Sequence, residues 1–241
     1  MKYVIVTGAG SGIGKSVCKK LIEEGFTPIL IGRTLSKLEK ASKSLNDSPY
    51  FSVDLSNENS ITELKANYKK LPEGSLKGIV NNAGVFKASS FEETTHKDWI
   101  DHFQNNLLTV INTSKAFLEI LKKNGGSIVN ISSTLGIRPI PNTSAYSASK
   151  SALINLTQAM ALELATYKIR VNAVCPGIVD TPIHQPESRE VWKQDSSKLQ
   201  PLGRIGEPQD ISGVVCHLIS DDARWTTGTV IPVDGGILLN S

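Results

Sequence analysis

The feature that most constrains this chain is its repeated alternation of short, almost continuously apolar runs with longer amphipathic ones. The apolar runs are Tyr3–Val6, Pro28–Ile31, Tyr50–Val53, Gly78–Val80, Ser127–Ile131, Arg170–Val174 and Thr229–Val233. They are β-branched, bounded by turn residues, and mostly lack the apolar–polar alternation of a strand with one wet face. That pattern predicts strands of a parallel sheet buried on both sides. Between them, Ile13, Val17, Leu21 and Ile22 share one helical stripe ending at Gly25, and Leu35, Leu38 and Leu45 share another. A long helix is predicted from about Lys97 to Lys123, another from Ser144 to Tyr167 and a shorter one from Gln209 to Ser220. Strand–helix alternation of this kind implies right-handed crossovers and a doubly wound, seven-stranded parallel sheet with helices on both faces. With 241 residues and no repeat or linker, residues 1–241 are read as one domain. The polar, proline-flanked stretch 181–201 has no clear period and is read as a candidate substrate loop.

Composition removes several classes of function. The 26 basic and 23 acidic residues leave a net charge of +3. The basic residues are scattered, so no nucleic-acid stripe is expected. No apolar run approaches the roughly 18 residues of a membrane span. Met1–Val6 lead straight into a glycine-rich turn, leaving no room for a signal peptide, and a cytoplasmic location is expected. Cys18, Cys175 and Cys216 lack paired spacing, and the four histidines lack ligand spacing, so neither disulfide nor metal is expected.

Thr7-Gly8-Ala9-Gly10-Ser11-Gly12-Ile13-Gly14 joins the first strand to the first helix. Glycines let the backbone approach a ligand, and the helix N-terminus offers unpaired N–H groups to a pyrophosphate. A plain structural turn would also use glycine, but the order strand, turn, helix is the one a dinucleotide site requires. An NAD site carries a carboxylate about 20 residues further on, to bind the ribose 2′-hydroxyl. Here, 19 residues beyond Gly14, stands Arg33, preceded by Gly32. Its guanidinium suits a 2′-phosphate, which favours NADP(H) over NAD; the alternative is a solvated arginine at a strand end.

Tyr146 and Lys150 stand four apart at the start of a predicted helix, on one face. A phenol is a weak acid, and a neighbouring ammonium is expected to lower its pKa toward the working pH. Ser132 and Ser133 follow the fifth strand, at the sheet edge where ligands of open α/β folds bind, and a hydroxyl there can hold a carbonyl oxygen.

Taken together, these motifs resemble the short-chain dehydrogenase/reductase family over essentially the whole chain, in particular its 3-oxoacyl-(acyl-carrier-protein) reductase group. Thr7–Gly14 resembles the family's TGxxxGxG turn and Asn81-Asn82-Ala83-Gly84 its NNAG motif. Pro176-Gly177-Ile178-Val179-Asp180-Thr181 resembles its nicotinamide loop, and Val233-Asp234-Gly235-Gly236 its C-terminal signature. The resemblance implies Asn106, Ser133, Tyr146 and Lys150 as catalytic residues, with Asn106 at a kink in the long helix. It further implies cofactor contacts from Thr7, Gly8, Ser11, Gly12, Ile13, Gly14, Arg33, Asp54, Asn82, Ala83, Gly84, Tyr146, Lys150, Pro176, Gly177, Val179 and Thr181. The many NADP enzymes of the family that carry a basic residue inside the glycine turn have it where Ser11 stands here. The implied reaction is NADPH-dependent reduction of a carbonyl on a small or carrier-linked molecule, a 3-oxoacyl thioester first. Oxidation of a sugar, polyol or other secondary alcohol and a non-catalytic dinucleotide-binding role are the alternatives. The resemblance implies a homotetramer built on the two long helices. His184 and Trp192 are candidate substrate contacts or packing residues, and Arg138 and Arg170 are contacts to an acidic carrier or ordinary surface charges.

Overall fold

The computed structural model describes residues 1–184 and 188–240. Seven strands form one parallel sheet: β1 (Lys2–Thr7), β2 (Thr27–Gly32), β3 (Tyr50–Ser52), β4 (Ser75–Asn81), β5 (Gly126–Ile131), β6 (Ile169–Pro176) and β7 (Val230–Val233). Their spatial order is β3-β2-β1-β4-β5-β6-β7. The helices are α1 (Gly12–Glu23), α2 (Leu35–Lys43), α3 (Glu58–Tyr68), α4 (His96–Phe103), α5 (Thr109–Asn124), α6 (Ser144–Leu164), α7 (Arg189–Ser197) and α8 (Pro208–Ile219).

Successive side chains of each strand go to opposite faces, and both faces are covered. Val4, Val6, Leu30, Val80, Val129 and Val174 pack with Val17 and Leu21 of α1, Leu38 of α2 and Val215 of α8. Tyr3, Ile5, Ile29, Ile79, Ile128 and Val171 pack on the other side, with Leu64 of α3, Phe117 and Leu121 of α5 and Leu164 of α6. This explains the continuous apolar runs: a strand sandwiched between helices has no wet face.

The sheet order reverses beside β1, where β2 lies on one side and β4 on the other. At such a point the two connections leave in opposite directions and open a crevice at the carboxyl edge.

Two helices escaped the sequence reading. In α3 only Leu64 is fully buried, and its start is set by Asn57, whose side chain accepts from the N–H groups of Asn59 and Ser60. The helix α7 is almost wholly polar, with Ser196 its one buried residue, and it lies in the stretch 181–201. Residues 185–187 of that stretch lie outside the described residues. The predicted helix from Lys97 to Lys123 is interrupted by a π turn at Gln104–Leu108.

Phe117 is fully buried and meets Tyr68 edge-on at 5.3 Å, so it joins α5 to α3 as well as to the sheet. Phe117→Ala is expected to cost about 3–5 kcal/mol, because the cavity lies between rigid elements and cannot collapse. Equilibrium urea unfolding would measure it.

Candidate active site

The site is assembled at the crevice from loops that follow β1, β4, β5 and β6. Thr7, at the end of β1, accepts at Oγ1 from the backbone N–H groups of Asn82 and Ala83, both at 2.9 Å. Asn82 returns the contact, donating from Nδ2 to the carbonyls of Thr7 (3.0 Å) and Gly8 (3.3 Å). The glycine turn and the segment after β4 are thereby clasped together.

The N-terminus of α1 lies in the turn. Ser11 caps it in extended conformation, makes no side-chain cap bond, and no acidic residue stands in the first turn. The helix thus presents unpaired N–H groups and a positive dipole end. Gly14 has no room for a side chain: a Cβ there would lie 2.4 Å from the Gly8 carbonyl oxygen. Ile13 directs its side chain into the core, leaving its backbone to the turn.

Beyond the turn runs a cleft lined by Gly8, Ser11, Gly32, Arg33, Lys37 and Asp54, and by Ala83 and Gly84 opposite. Arg33 donates from Nη1 to Asn105 Oδ1 at 3.3 Å and remains exposed. Asp54 accepts from the hydroxyl of Ser56 at 2.7 Å, and bonds from Ser56, with Arg33 nearby, hold its carboxyl below the usual range. Lys37 is a second cation on this wall that the sequence reading missed; in the first turn of α2, it carries no motif of its own. A helix N-terminus with no side-chain cap bond, a glycine turn packed too closely to carry a side chain at Gly14, and cations along the cleft fit a dinucleotide.

The loop after β6 closes the other flank. Thr134 Oγ1 donates to the Pro176 carbonyl at 3.2 Å, and the Gly177 N–H donates to Val233. Thr181 is buried and donates to the Val179 carbonyl at 3.4 Å, while the Val179 side chain packs into the core.

The four candidate catalytic residues converge. Ser133 follows β5, and Tyr146 and Lys150 rise from the first turns of α6. Asn106 lies in the π turn, fully buried. Its Oδ1 accepts from the Val85 N–H at 2.8 Å, and its Nδ2 donates to the Val85 carbonyl and to Ser149 Oγ, at 3.1 and 3.0 Å. The neighbouring Asn105 points to Arg33 instead, so adjacent asparagines serve opposite ends of the crevice.

One electrostatic expectation fails. Burial pushes the Tyr146 phenol up to about 12, with only the Ser133 hydroxyl pulling the other way. Lys150 does not lower it, because its Nζ donates to the Ile131 carbonyl at 2.8 Å and lies 5.8 Å from the tyrosine ring centroid. Burial pulls the Lys150 ammonium down to about 8. At each group burial outweighs what opposes it, the hydrogen bond with Ser133 at Tyr146 and the nearby Cys175 at Lys150.

The family of short-chain oxidoreductases described as enoyl-(acyl carrier protein) reductase matches residues 8–238. The chain is 34% identical to a 3-oxoacyl-(acyl-carrier-protein) reductase of Thermotoga maritima, over 99% of its own length and 98% of that protein. It is 35% identical to an NADP-dependent (R)-specific alcohol dehydrogenase of Lentilactobacillus kefiri, over 98% and 96% of the two chains. A meso-2,3-butanediol dehydrogenase of Serratia marcescens is 33% identical over 98% and 94%. The chain therefore belongs to the short-chain dehydrogenase/reductase family. It is an oxidoreductase that uses a nicotinamide dinucleotide.

The depressed Lys150 carries a signed consequence for stability. Below about pH 8 it is charged in folded and unfolded protein alike, and the full desolvation penalty opposes folding. As pH rises from about 8 to the ordinary lysine range, the folded state sheds its proton first and the penalty fades. Lys150→Met is thus expected to melt higher than the native protein at pH 7, with the gap closing toward pH 10. Thermal melts at the two pH values would check it.

Proposed function

We propose that the protein reduces a ketone to a secondary alcohol with NADPH, a 3-oxoacyl thioester being the leading substrate. The observation that carries this reading is the convergence of Ser133, Tyr146 and Lys150 beside a cleft whose far wall bears Arg33 and Lys37. The similarity to the Thermotoga reductase supports the substrate.

When bound, the reduced nicotinamide supplies the hydride. The phenol of Tyr146 is neutral at pH 7, as an ordinary phenol is, and burial raises its pKa further; the neutral form is the one that can give its proton to a carbonyl oxygen. Ser133 donates a hydrogen bond to the same oxygen and stabilises the charge that develops there. Lys150 holds the ribose hydroxyls and, with a pKa brought down to about 8, passes a proton readily near neutral pH. Asn106 fixes the segment from Gly84 to Val85 against α6. Thr7–Gly14, Asn82–Gly84 and Pro176–Thr181 hold the dinucleotide, with Asp54 beside the adenine, and Arg33 and Lys37 hold its 2′-phosphate.

Of the two arginines considered for an acidic carrier, Arg170 is an internal strut donating to the carbonyls of Leu218 and Ser220 at 2.8 and 2.9 Å. Arg138 is bonded to the Asn240 carbonyl at 2.6 Å. Support for the thioester therefore comes from the relatives, and no basic carrier patch is invoked. Ile100 on α4, Leu108 beside α5 and Leu162 on α6 are exposed, which supports a homotetramer joined through these helices.

Tyr146→Phe keeps the ring and removes the proton donor. NADPH consumption with a 3-oxoacyl thioester is expected to fall by about 10²–10⁴-fold, with NADPH affinity nearly unchanged. Retained turnover would overturn the assignment, and native protein that oxidises a polyol but ignores the thioester would overturn the substrate. Arg33→Ala is expected to raise the Kd for NADPH roughly tenfold or more while leaving NADH within about threefold, read by nicotinamide fluorescence.

A further inference from the structure

Tyr146 is only 9% exposed, and what covers it is aromatic. The Phe86 ring stands edge-on to the tyrosine ring at 4.9 Å. His184 meets Phe86 at 6.0 Å, and the Trp192 ring on α7 lies 4.8 Å from His184, tilted by 34°. Three rings from two separate loops and a helix therefore run outward from the reacting phenol in one continuous series.

The series is held from both ends. His102, buried in α4, accepts at Nε2 from the Lys87 N–H at 3.3 Å and fixes the segment that carries Phe86. On the other side Asp180 pairs with both Arg189 and Lys193 of α7. Arg189 also donates to the carbonyls of Thr181 and His184, at 3.1 and 3.3 Å, and its guanidinium lies 5.5 Å from the Trp192 ring. Arg189 and Lys193 of α7 thus share one carboxylate. His184 is largely buried, and burial with Arg189 nearby lowers its pKa, so it is neutral at pH 7.

We propose that Phe86, His184 and Trp192 form a preassembled wall that receives the apolar limb of the ketone and makes the enzyme select against polyhydroxylated substrates. A wall of π faces and one neutral imidazole gains from burying a hydrocarbon or aryl substituent. It offers too few polar partners to a row of hydroxyls, each of which loses water on entry. This inference rests on the carbonyl-reductase reading and narrows its substrate class.

The test uses purified protein, NADPH and three ketones: phenylacetone, butan-2-one and dihydroxyacetone. The native protein is expected to rank them in that order of kcat/KM. Trp192→Ala and Phe86→Ala are each expected to lower kcat/KM for phenylacetone about tenfold or more, chiefly through KM, and to leave dihydroxyacetone within about threefold. Trp192→Phe is expected to restore most of the loss. NADPH binding, followed by nicotinamide fluorescence, reports whether each variant is folded. Turnover with an unchanged ratio of phenylacetone to dihydroxyacetone in both alanine variants would overturn the wall alone. A native protein that turns over none of the three but reduces a 3-oxoacyl thioester would overturn the wall alone, and one that reduces neither the ketones nor the thioester would overturn the carbonyl-reductase reading and the wall with it.

Discussion

The clasp between Thr7 and Asn82 is the contact on which the rest of the site depends. At the point where the sheet order reverses, β1 and β4 must end side by side while their connections diverge, and nothing in strand pairing alone fixes those ends. Thr7 does so with one hydroxyl that accepts two backbone N–H groups, and Asn82 with one amide that donates to two carbonyls. Both residues act on backbone that leaves the sheet ladder there and would otherwise need another partner inside the protein. The glycine turn, the free N-terminus of α1 and the segment bearing Phe86 all inherit their positions from it.

Much of this was legible in the sequence, for physical reasons that also explain the gaps. A strand buried on both faces writes itself as a continuous apolar run, so seven strands and the parallel sheet could be read. The turn at Thr7–Gly14 and the spacing of Tyr146 and Lys150 are local, and local geometry survives translation from sequence. The helices α3 and α7 were missed because each buries so little that its periodicity is faint. Lys37 was missed because a lone lysine acquires meaning only when Gly10 and Arg33 are placed beside it. The state of Tyr146 was misjudged for a related reason. Four-residue spacing puts a cation on the same face, but only the structure shows the Ile131 carbonyl claiming it and the depth at which the phenol lies.

The π turn illustrates how a single inserted register carries two jobs. In an unbroken helix Asn105 and Asn106 would simply follow one another around the cylinder. In the wider turn Asn105 Nδ2 caps the Asp101 carbonyl and its Oδ1 meets Arg33, while Asn106 is driven inward to Val85 and Ser149. Asparagine is an indifferent helix former, so this stretch is held by its tertiary hydrogen bonds, and such interruptions cluster at functional positions.

Beneath the site lies a buried polar chain that is satisfied except at Asn81 Oδ1, which has no hydrogen-bond partner among the described residues. Asn81 at the end of β4 donates to Ser114 of α5 and to Asn130 of β5, at 3.2 and 2.9 Å. Asn130 donates to Thr157 of α6 at 2.9 Å, and Thr157 to the Leu153 carbonyl. The chain thus crosses the covered face of the sheet from one long helix to the other, directly under the loops that carry Asn82 and Ser133. An all-apolar layer would pack as tightly, yet it would leave α5 and α6 free to slide along their axes by fractions of a turn. Directional bonds fix that register, and the register of α6 sets where Tyr146 and Lys150 stand relative to Ser133. With Lys150 and Asn106 also buried, the polar cost is concentrated on the side of the sheet that carries the chemistry. The opposite face, packed by α1, α2 and α8, has a core made almost wholly of aliphatic side chains, and its role is to hold the sheet firm enough for the other face to bear that cost.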